Sequence, residues 1–194
     1  KDTKDLLNII GQIEYCPEEN VLISLDIESL YTNIPQLESL RVLEEHLFKE
    51  AWAYRTPRHF LLECARMALT ENYFEFEGSL YLQTHGISMG STFAPSLAGL
   101  YVYDFETKHI LDDVNPYKNN IVVWKRYIDD ILIVWKGNEQ TTVPFMAWIN
   151  NLDINLKFTH TVNSNHLVFL DVELCSVGRK LITRTHHKIT DKNN

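Results

Sequence analysis

Asp129 and Asp130 are adjacent carboxylates set between two runs that can only be strands. Upstream lies Ile121-Val122-Val123-Trp124 and downstream Ile131-Leu132-Ile133-Val134-Trp135, both β-branched and aromatic. Such a hairpin must send its apolar residues into a core, yet its turn, Tyr127-Ile128-Asp129-Asp130, carries two negative charges. Carboxylates near a core are costly unless a cation or a hydrogen-bond network compensates them. Asp is also an ordinary turn residue, so these four residues taken alone are equally read as a solvated turn.

A third acid changes the balance. Asp26 follows Val21-Leu22-Ile23-Ser24-Leu25, another short apolar strand with a carboxylate at its exit. Three carboxylates on strand ends of one domain are the usual requirement for holding two divalent cations, which sit roughly 3.5–4 Å apart in phosphoryl-transfer sites. All-oxygen ligands suit Mg²⁺, which keeps some of its waters and completes its shell with carboxylates and substrate phosphates.

Three further blocks carry a resemblance. Asp26-Ile27-Glu28-Ser29-Leu30-Tyr31 looks like motif A of reverse transcriptases, an Asp followed five positions later by an aromatic. Gly86-Ile87-Ser88-Met89-Gly90-Ser91-Thr92-Phe93-Ala94-Pro95 is similar to their motif B, and Tyr127-Ile128-Asp129-Asp130 to motif C, in the matching order. Finer details resemble Penelope-like retroelements, whose enzymes are relatives of telomerase. These are Leu30-Tyr31-Thr32-Asn33-Ile34-Pro35, Met89-Gly90, Trp124-Lys125-Arg126 and Phe169-Leu170-Asp171-Val172. The resemblance runs from about Asp2 to Asp191. A lone Tyr-x-Asp-Asp is a weak signal; four ordered blocks are a specific one.

The resemblance implies an α+β fold: a reverse-transcriptase palm, an antiparallel sheet with helices packed on one face, and a partial fingers insertion between motifs A and B. It implies a single domain over residues 1–194, without the N-terminal fingers, the thumb and the GIY-YIG nuclease of the full enzymes. Thr185 to Asp191 resembles the entry to the thumb. The implied activity is RNA-directed DNA polymerisation, with deoxynucleoside triphosphates added to a primer 3′-hydroxyl on an RNA or DNA template. Asp26, Asp129 and Asp130 are then catalytic and, with the Ile27 carbonyl, hold two Mg²⁺ ions, or Mn²⁺ in their place.

Other roles follow from the same resemblance. Tyr31 stands where the family puts an aromatic under the incoming sugar, which would exclude a 2′-hydroxyl; a core tyrosine is the plainer reading. Gly86, Met89 and Gly90 belong to a loop beside the nucleotide, where glycine permits close backbone approach to a ligand. Pro95, Tyr127, Phe169, Leu170 and Asp171 are expected near primer or template, although Pro95 also suits a helix first turn and the apolar residues of the last block equally suit a core. Lys157 occupies the place of a basic residue that would protonate the pyrophosphate leaving group. A single Lys in a strand is as readily a solvated face residue.

Bulk properties bound these readings. The chain has 194 residues, 45% hydrophobic and 23% charged, which is globular composition of a size for one well-buried domain. Its longest apolar runs are about five residues against the ~20 that span a bilayer. A soluble, intracellular protein is expected, nuclear by the resemblance and with no membrane partner. Cys16, Cys64 and Cys175 are scattered, with no Cys-x-x-Cys and no His at zinc-finger spacing.

The net charge of −8 argues against a generic nucleic-acid binder, for which basic surface supplies most of the affinity. From Ser176 onward, however, five Lys/Arg face one Asp. That strip fits a polymerase core beside lost basic parts, and equally an acidic protein with a solvated basic tail. The rival to an active enzyme is a catalytically inactive retroelement remnant serving as a nucleic-acid or protein binding module. A metal-dependent phosphohydrolase would need a general base beside the acids, and none stands out.

The hydrophobic periodicity predicts helices over 3–13, 36–49, from Thr56 with Pro57 first in the helix, 91–111 and near 143–151. Strands are expected at 20–27, 73–77 and 80–83, 156–161, 167–174 and 180–185, beside the central hairpin.

Overall fold

The apolar run that ends in Asp26 becomes a central strand, paired on both sides. The computed structural model describes residues 3–49 and 56–186. In chain order the elements are α1 (Thr3–Ile10), β1 (Asn20–Ile27), α2 (Leu30–Asn33), α3 (Gln36–Lys49), α4 (Arg58–Thr70), β2 (Tyr73–Phe76), β3 (Ser79–Leu82) and α5 (Ala94–Phe105). There follow β4 (Ile121–Tyr127), β5 (Asp130–Lys136), α6 (Glu139–Ile149), β6 (Phe158–Asn163), β7 (His166–Phe169), β8 (Val172–Val177) and β9 (Lys180–Thr185). The fold is mixed α+β with antiparallel sheets. The chain divides into two compact units: one from Lys1–Glu28, Pro116–Asp153 and Lys157–Asn194, the other from Ser29–Asn115 and Ile154–Leu156.

In the first unit, β1 lies between β5 and β6, giving the sheet order β4-β5-β1-β6. Side chains alternate across a sheet, so β1 and β5 present two apolar faces. Leu22, Leu132 and Val134 on one face join Leu167, Phe169, Val172, Leu174 and Leu181 of the three-stranded sheet β7-β8-β9, with Leu6 and Ile10 of α1. Tyr15 is fully buried in this cluster, and its hydroxyl donates to the carbonyl of Ser164 at 2.6 Å. On the opposite face Trp135 packs in a tilted arrangement, 4.7 Å between ring centroids, on Phe145 of α6, beside Tyr117 and Trp148. The helix-covered face is as expected; the second sheet on the other face was not read from the sequence.

The second unit packs α3 on both α4 and α5. Asp104, buried on α5, would be costly as an isolated charge. It is met by Lys108 Nζ at 2.6 Å and His46 Nε2 at 3.3 Å, and the carboxylate raises the Lys108 pKa. The ribbon β2-β3 turns through Glu77 and Gly78, both at positive φ as a two-residue type I′ loop requires. Its Tyr73, Phe74, Phe76, Leu80, Tyr81 and Leu82 are all exposed.

Several boundaries differ from expectation for identifiable reasons. The stretch 167–174, expected as one strand, is a hairpin broken at Leu170-Asp171, with Phe169 and Val172 in register. Helix α6 starts at Glu139, well before Val143, because the Asn138 side chain accepts from the Thr141 N–H as a cap and Pro144 is carried inside the helix. The helix expected over 91–111 begins at Ala94 and passes into a π-helical turn at Glu106–Ile110. Pro57 caps α4 from outside its first turn. The proposed thumb entry falls outside the described residues from His187 onward.

The loop before α5 docks on α2 by main-chain contact. Ile87 N–H donates to the Tyr31 carbonyl at 2.6 Å, and the Gln36 amide nitrogen donates to the carbonyls of Gln83 and Gly86 at 3.2 and 3.0 Å. Gly86 has φ +71°, and a Cβ there would lie 2.8 Å from the Thr32 Cα and carbonyl oxygen. Neither backbone can yield cheaply. Gly86→Ala should therefore lose about 3 kcal/mol or more in urea denaturation, combining left-handed strain with a steric clash. At Gly90, whose nearest neighbour to an added Cβ is 3.9 Å away, alanine should change stability by less than ~0.5 kcal/mol.

Candidate active site

Register brings the acids of the first unit together. Asp26 is the direct cross-strand partner of Asp130 on β5 and of Thr159 on β6, and Asp130 is in turn the partner of Tyr127 on β4. Direct partners in antiparallel strands share a face. Tyr127, Asp130, Asp26 and Thr159 therefore form one row across all four strands, beyond the buried Leu22-Leu132 stretch of that face. Thr159 was not singled out in the sequence; only its place in strand alternation could have flagged it.

Asp129 occupies the two-residue turn between β4 and β5 with Ile128. Ile128 has φ +57°, the left-handed value that the first position of a type II′ turn demands and that glycine normally supplies. A β-branched residue there is strained. Two hydrogen bonds hold it: Arg126 Nη1 donates to the Ile128 carbonyl at 3.1 Å, and Ile27 N–H donates to the Asp129 carbonyl at 3.1 Å. The second bond fastens the turn to the exit of β1, one residue past Asp26. Ile27 itself is buried.

Asp26 shares this end of the sheet with other acids that act on its charge. Partial loss of hydration, then the charges of Asp129 and Glu28, raise the Asp26 pKa above its ordinary value. A divalent cation would remove this repulsion, so the donor set fits a hard, oxygen-loving ion such as Mg²⁺.

The remaining expected residues fall into distinct places. Tyr127 is half exposed at the end of β4. Lys157, just before β6, donates through Nζ to the carbonyls of Asn150 and Asp153 at 2.8 and 3.1 Å, so its charge meets the C-terminal end of α6. Phe169, Leu170 and Asp171 form a second hairpin turn built like the first: Leu170 has φ +55°, and the Asp171 carbonyl accepts from His186 N–H at 2.8 Å. Phe169 is buried in the inter-sheet core.

The second unit holds the others. Tyr31 is half-buried on α2, Met89 is exposed, and Pro95 is exposed in the first turn of α5. Gly86 makes a close approach to the α2 backbone. Gln36, which the sequence offered only as a helix start, positions the loop.

A family model described as reverse transcriptase (RNA-dependent DNA polymerase) matches residues 2–173. The chain belongs to the reverse transcriptase family. No curated protein matches the sequence significantly. Among solved structures, apo telomerase from Candida tropicalis, truncated of its C-terminal domain, aligns with TM-score 0.62 and 16% identity over 94% of this chain and 38% of that one. Telomerase from Candida albicans in complex with a fragment of telomeric RNA aligns with TM-score 0.65 and 14% identity over 94% and 33%. The RNA polymerase complex of a double-stranded RNA virus aligns with TM-score 0.53 and 13% identity over 89% and 18%. At these identities the likeness is one of fold, and the chain spans about two fifths or less of each neighbour.

Two outcomes follow. Because the fold raises the Asp26 pKa, the folded chain holds this proton more tightly than the unfolded one. Stability then falls as pH rises from the ordinary carboxylate value of ~3.9 through the raised one. In metal-free buffer Asp26→Asn should melt above wild type at pH 7, and the difference should close as the pH is lowered below 4. The second outcome concerns strain. Ile128→Gly should be more stable than Ile128→Ala by about 1 kcal/mol in urea denaturation, since glycine alone escapes the left-handed penalty of roughly 1–2 kcal/mol. An ordinary strand position gives the reverse order.

Proposed function

We propose that this chain is the polymerising core of an RNA-directed DNA polymerase of retroelement origin, related to the Penelope-like type, acting on deoxynucleoside triphosphates at a primer 3′-hydroxyl. The observation that carries the reading is the alignment of Asp26 with Asp130 in register, with Asp129 fastened beside them by the Ile27–Asp129 backbone bond. Asp26, Asp129 and Asp130, with the Ile27 carbonyl, would hold two Mg²⁺ or Mn²⁺ ions. When bound, these ions supply Lewis-acid activation of the primer hydroxyl and charge neutralisation at the pyrophosphate.

The protein's own part is positional. Rigid strands fix the carboxylates before substrate arrives, so their charge is aimed with no reorganisation at the moment of reaction. Mutual repulsion of the acids makes the empty arrangement unfavourable and the cation-filled one favourable, which is how a weakly held ion is recruited only where it is used. Tyr31 is the residue assigned to sugar discrimination, Gly86, Met89, Gly90 and Lys157 to the nucleotide, and Pro95, Tyr127, Phe169, Leu170 and Asp171 to primer and template. Their support is the resemblance of the motifs and the family to which the chain belongs. Lys157 would have to leave its two carbonyl partners to reach a phosphate.

An RNA template fits the family, and a nuclear site of action belongs to the same reading. No helix among the described residues is long and apolar enough to cross a membrane.

Primer extension on an RNA template with Mg²⁺ or Mn²⁺ tests the assignment. Wild type should extend with deoxynucleotides, and Asp129→Ala should be slower by at least ~100-fold, the scale on which single electrostatic groups act in such sites. Melting temperatures of the two proteins should be similar, because the bond from Ile27 is to the Asp129 main chain. Equal extension by both proteins would remove the acids from the mechanism.

A further inference from the structure

A second constellation of ligand-type side chains lies on the β7-β8 hairpin, outside the aspartate row. Among the described residues, His166, Glu173 and Cys175 are the set of three whose donor atoms all lie within 4.8 Å of one another. His166 and Cys175 are direct cross-strand partners, and Glu173 precedes Cys175 by two residues on β8. All three thus project from one face of the three-stranded sheet. The alternate residues Leu167, Phe169 and Leu174 occupy the other face and are buried in the inter-sheet core. The ligand face is therefore the outer one, with His166 exposed and Glu173 and Cys175 half-buried.

We propose that His166, Glu173 and Cys175 form a binding site for Zn²⁺ or a similar thiophilic divalent transition metal. One nitrogen, one oxygen and one sulfur donor is a set that zinc accepts and that magnesium, which demands oxygen, does not. Three protein ligands leave the fourth tetrahedral position to water. With bond lengths of ~2.0–2.3 Å, neighbouring ligand atoms of a tetrahedral zinc site lie roughly 3.3–3.8 Å apart. His166 Nε2 and Glu173 Oε1 are now 2.8 Å apart in a direct hydrogen bond, so they need to open by a fraction of an ångström to admit the ion.

The backbone that carries these groups is already fixed. The Asn163 side-chain oxygen accepts from the N–H groups of Asn165 and His166 at 2.8 and 2.9 Å, and Ser176 N–H donates to the Asn165 carbonyl at 2.8 Å. A site on paired strands costs little ordering when filled. Binding would displace the thiol proton of Cys175 to solvent, so affinity should rise with pH. The filled site would pin β7 to β8 on their outer face, at the open end of the hairpin away from the turn at Leu170-Asp171.

Cobalt is the direct probe, because Co²⁺ bound to a thiolate absorbs strongly in the near ultraviolet. Titrating the reduced, metal-free chain with Co²⁺ should give this band with one equivalent, and Zn²⁺ should displace it while Mg²⁺ does not. Saturating Zn²⁺ should raise the melting temperature by about 5 °C through linkage. Cys175→Ser should abolish the band, and His166→Ala and Glu173→Gln should each weaken binding at least ~10-fold. Cys16→Ser, Cys64→Ser and Asp129→Ala should leave it unchanged. Absence of the band, or its survival in Cys175→Ser, would overturn the proposal. None of these readouts depends on polymerase activity, so the two assignments fail separately.

Discussion

The pairing of β1 on both sides is the constraint on which the rest of the first unit depends. The strand is hydrogen-bonded to β5 from Asn20 through Asp26 and to β6 from Leu22 through Ile27. Nearly every apolar side chain on it is sealed between the second sheet and the opposite face. A one-residue slip would send every one of these side chains to the wrong face. That intolerance is what fixes Asp26 opposite Asp130. The chemistry of the site is set by hydrophobic register, and the charged residues merely occupy the end of a pattern determined by Leu22, Ile23, Leu25, Leu132 and Ile133.

The parts of the fold governed by such patterns were legible in the sequence. Asn20–Ile27 and Gln36–Lys49 form with the expected bounds, because an apolar run and a clean helical stripe leave no competing arrangement. The three acids could be picked out because carboxylates beside apolar strands are anomalous. What escaped was conformational. Asp171 alone is a weak turn signal inside an apolar run, and nothing in a leucine announces a left-handed backbone, so 167–174 looked like one strand. Likewise Gly86 could be recognised as special while its partner, the α2 backbone, could not. Lys157 gave no sign that the carbonyls of Asn150 and Asp153 would take up its ammonium group.

The hairpins show how the protein divides ordinary turns from exacting ones. At Gly178-Arg179 a glycine supplies the left-handed residue, and at Glu77-Gly78 a glycine shares that region with the polar Glu77. At Ile128-Asp129 and Leu170-Asp171 a bulky apolar residue is forced into the same region. In both strained turns the following aspartate presents its carbonyl to the N–H of a neighbouring segment, Ile27 in one case and His186 in the other. Strain of this kind persists only where the surroundings over-determine it. Two examples of one device on one unit point to turns whose exact placement has been favoured over ease of folding.

The bond from Ile27 reaches the main chain of Asp129 and leaves its carboxylate out of the fold's accounts. A copy of this gene in which the acid had decayed to alanine or asparagine would keep its hairpin, its register and its core. The Asp26 charge is likewise a burden on the metal-free chain, so its loss would be tolerated or even welcomed by folding. Selection on stability alone would therefore not guard these positions, and in the absence of polymerisation they would be among the first to drift. Keeping Asp26 and Asp129 as acids is no requirement of the fold itself.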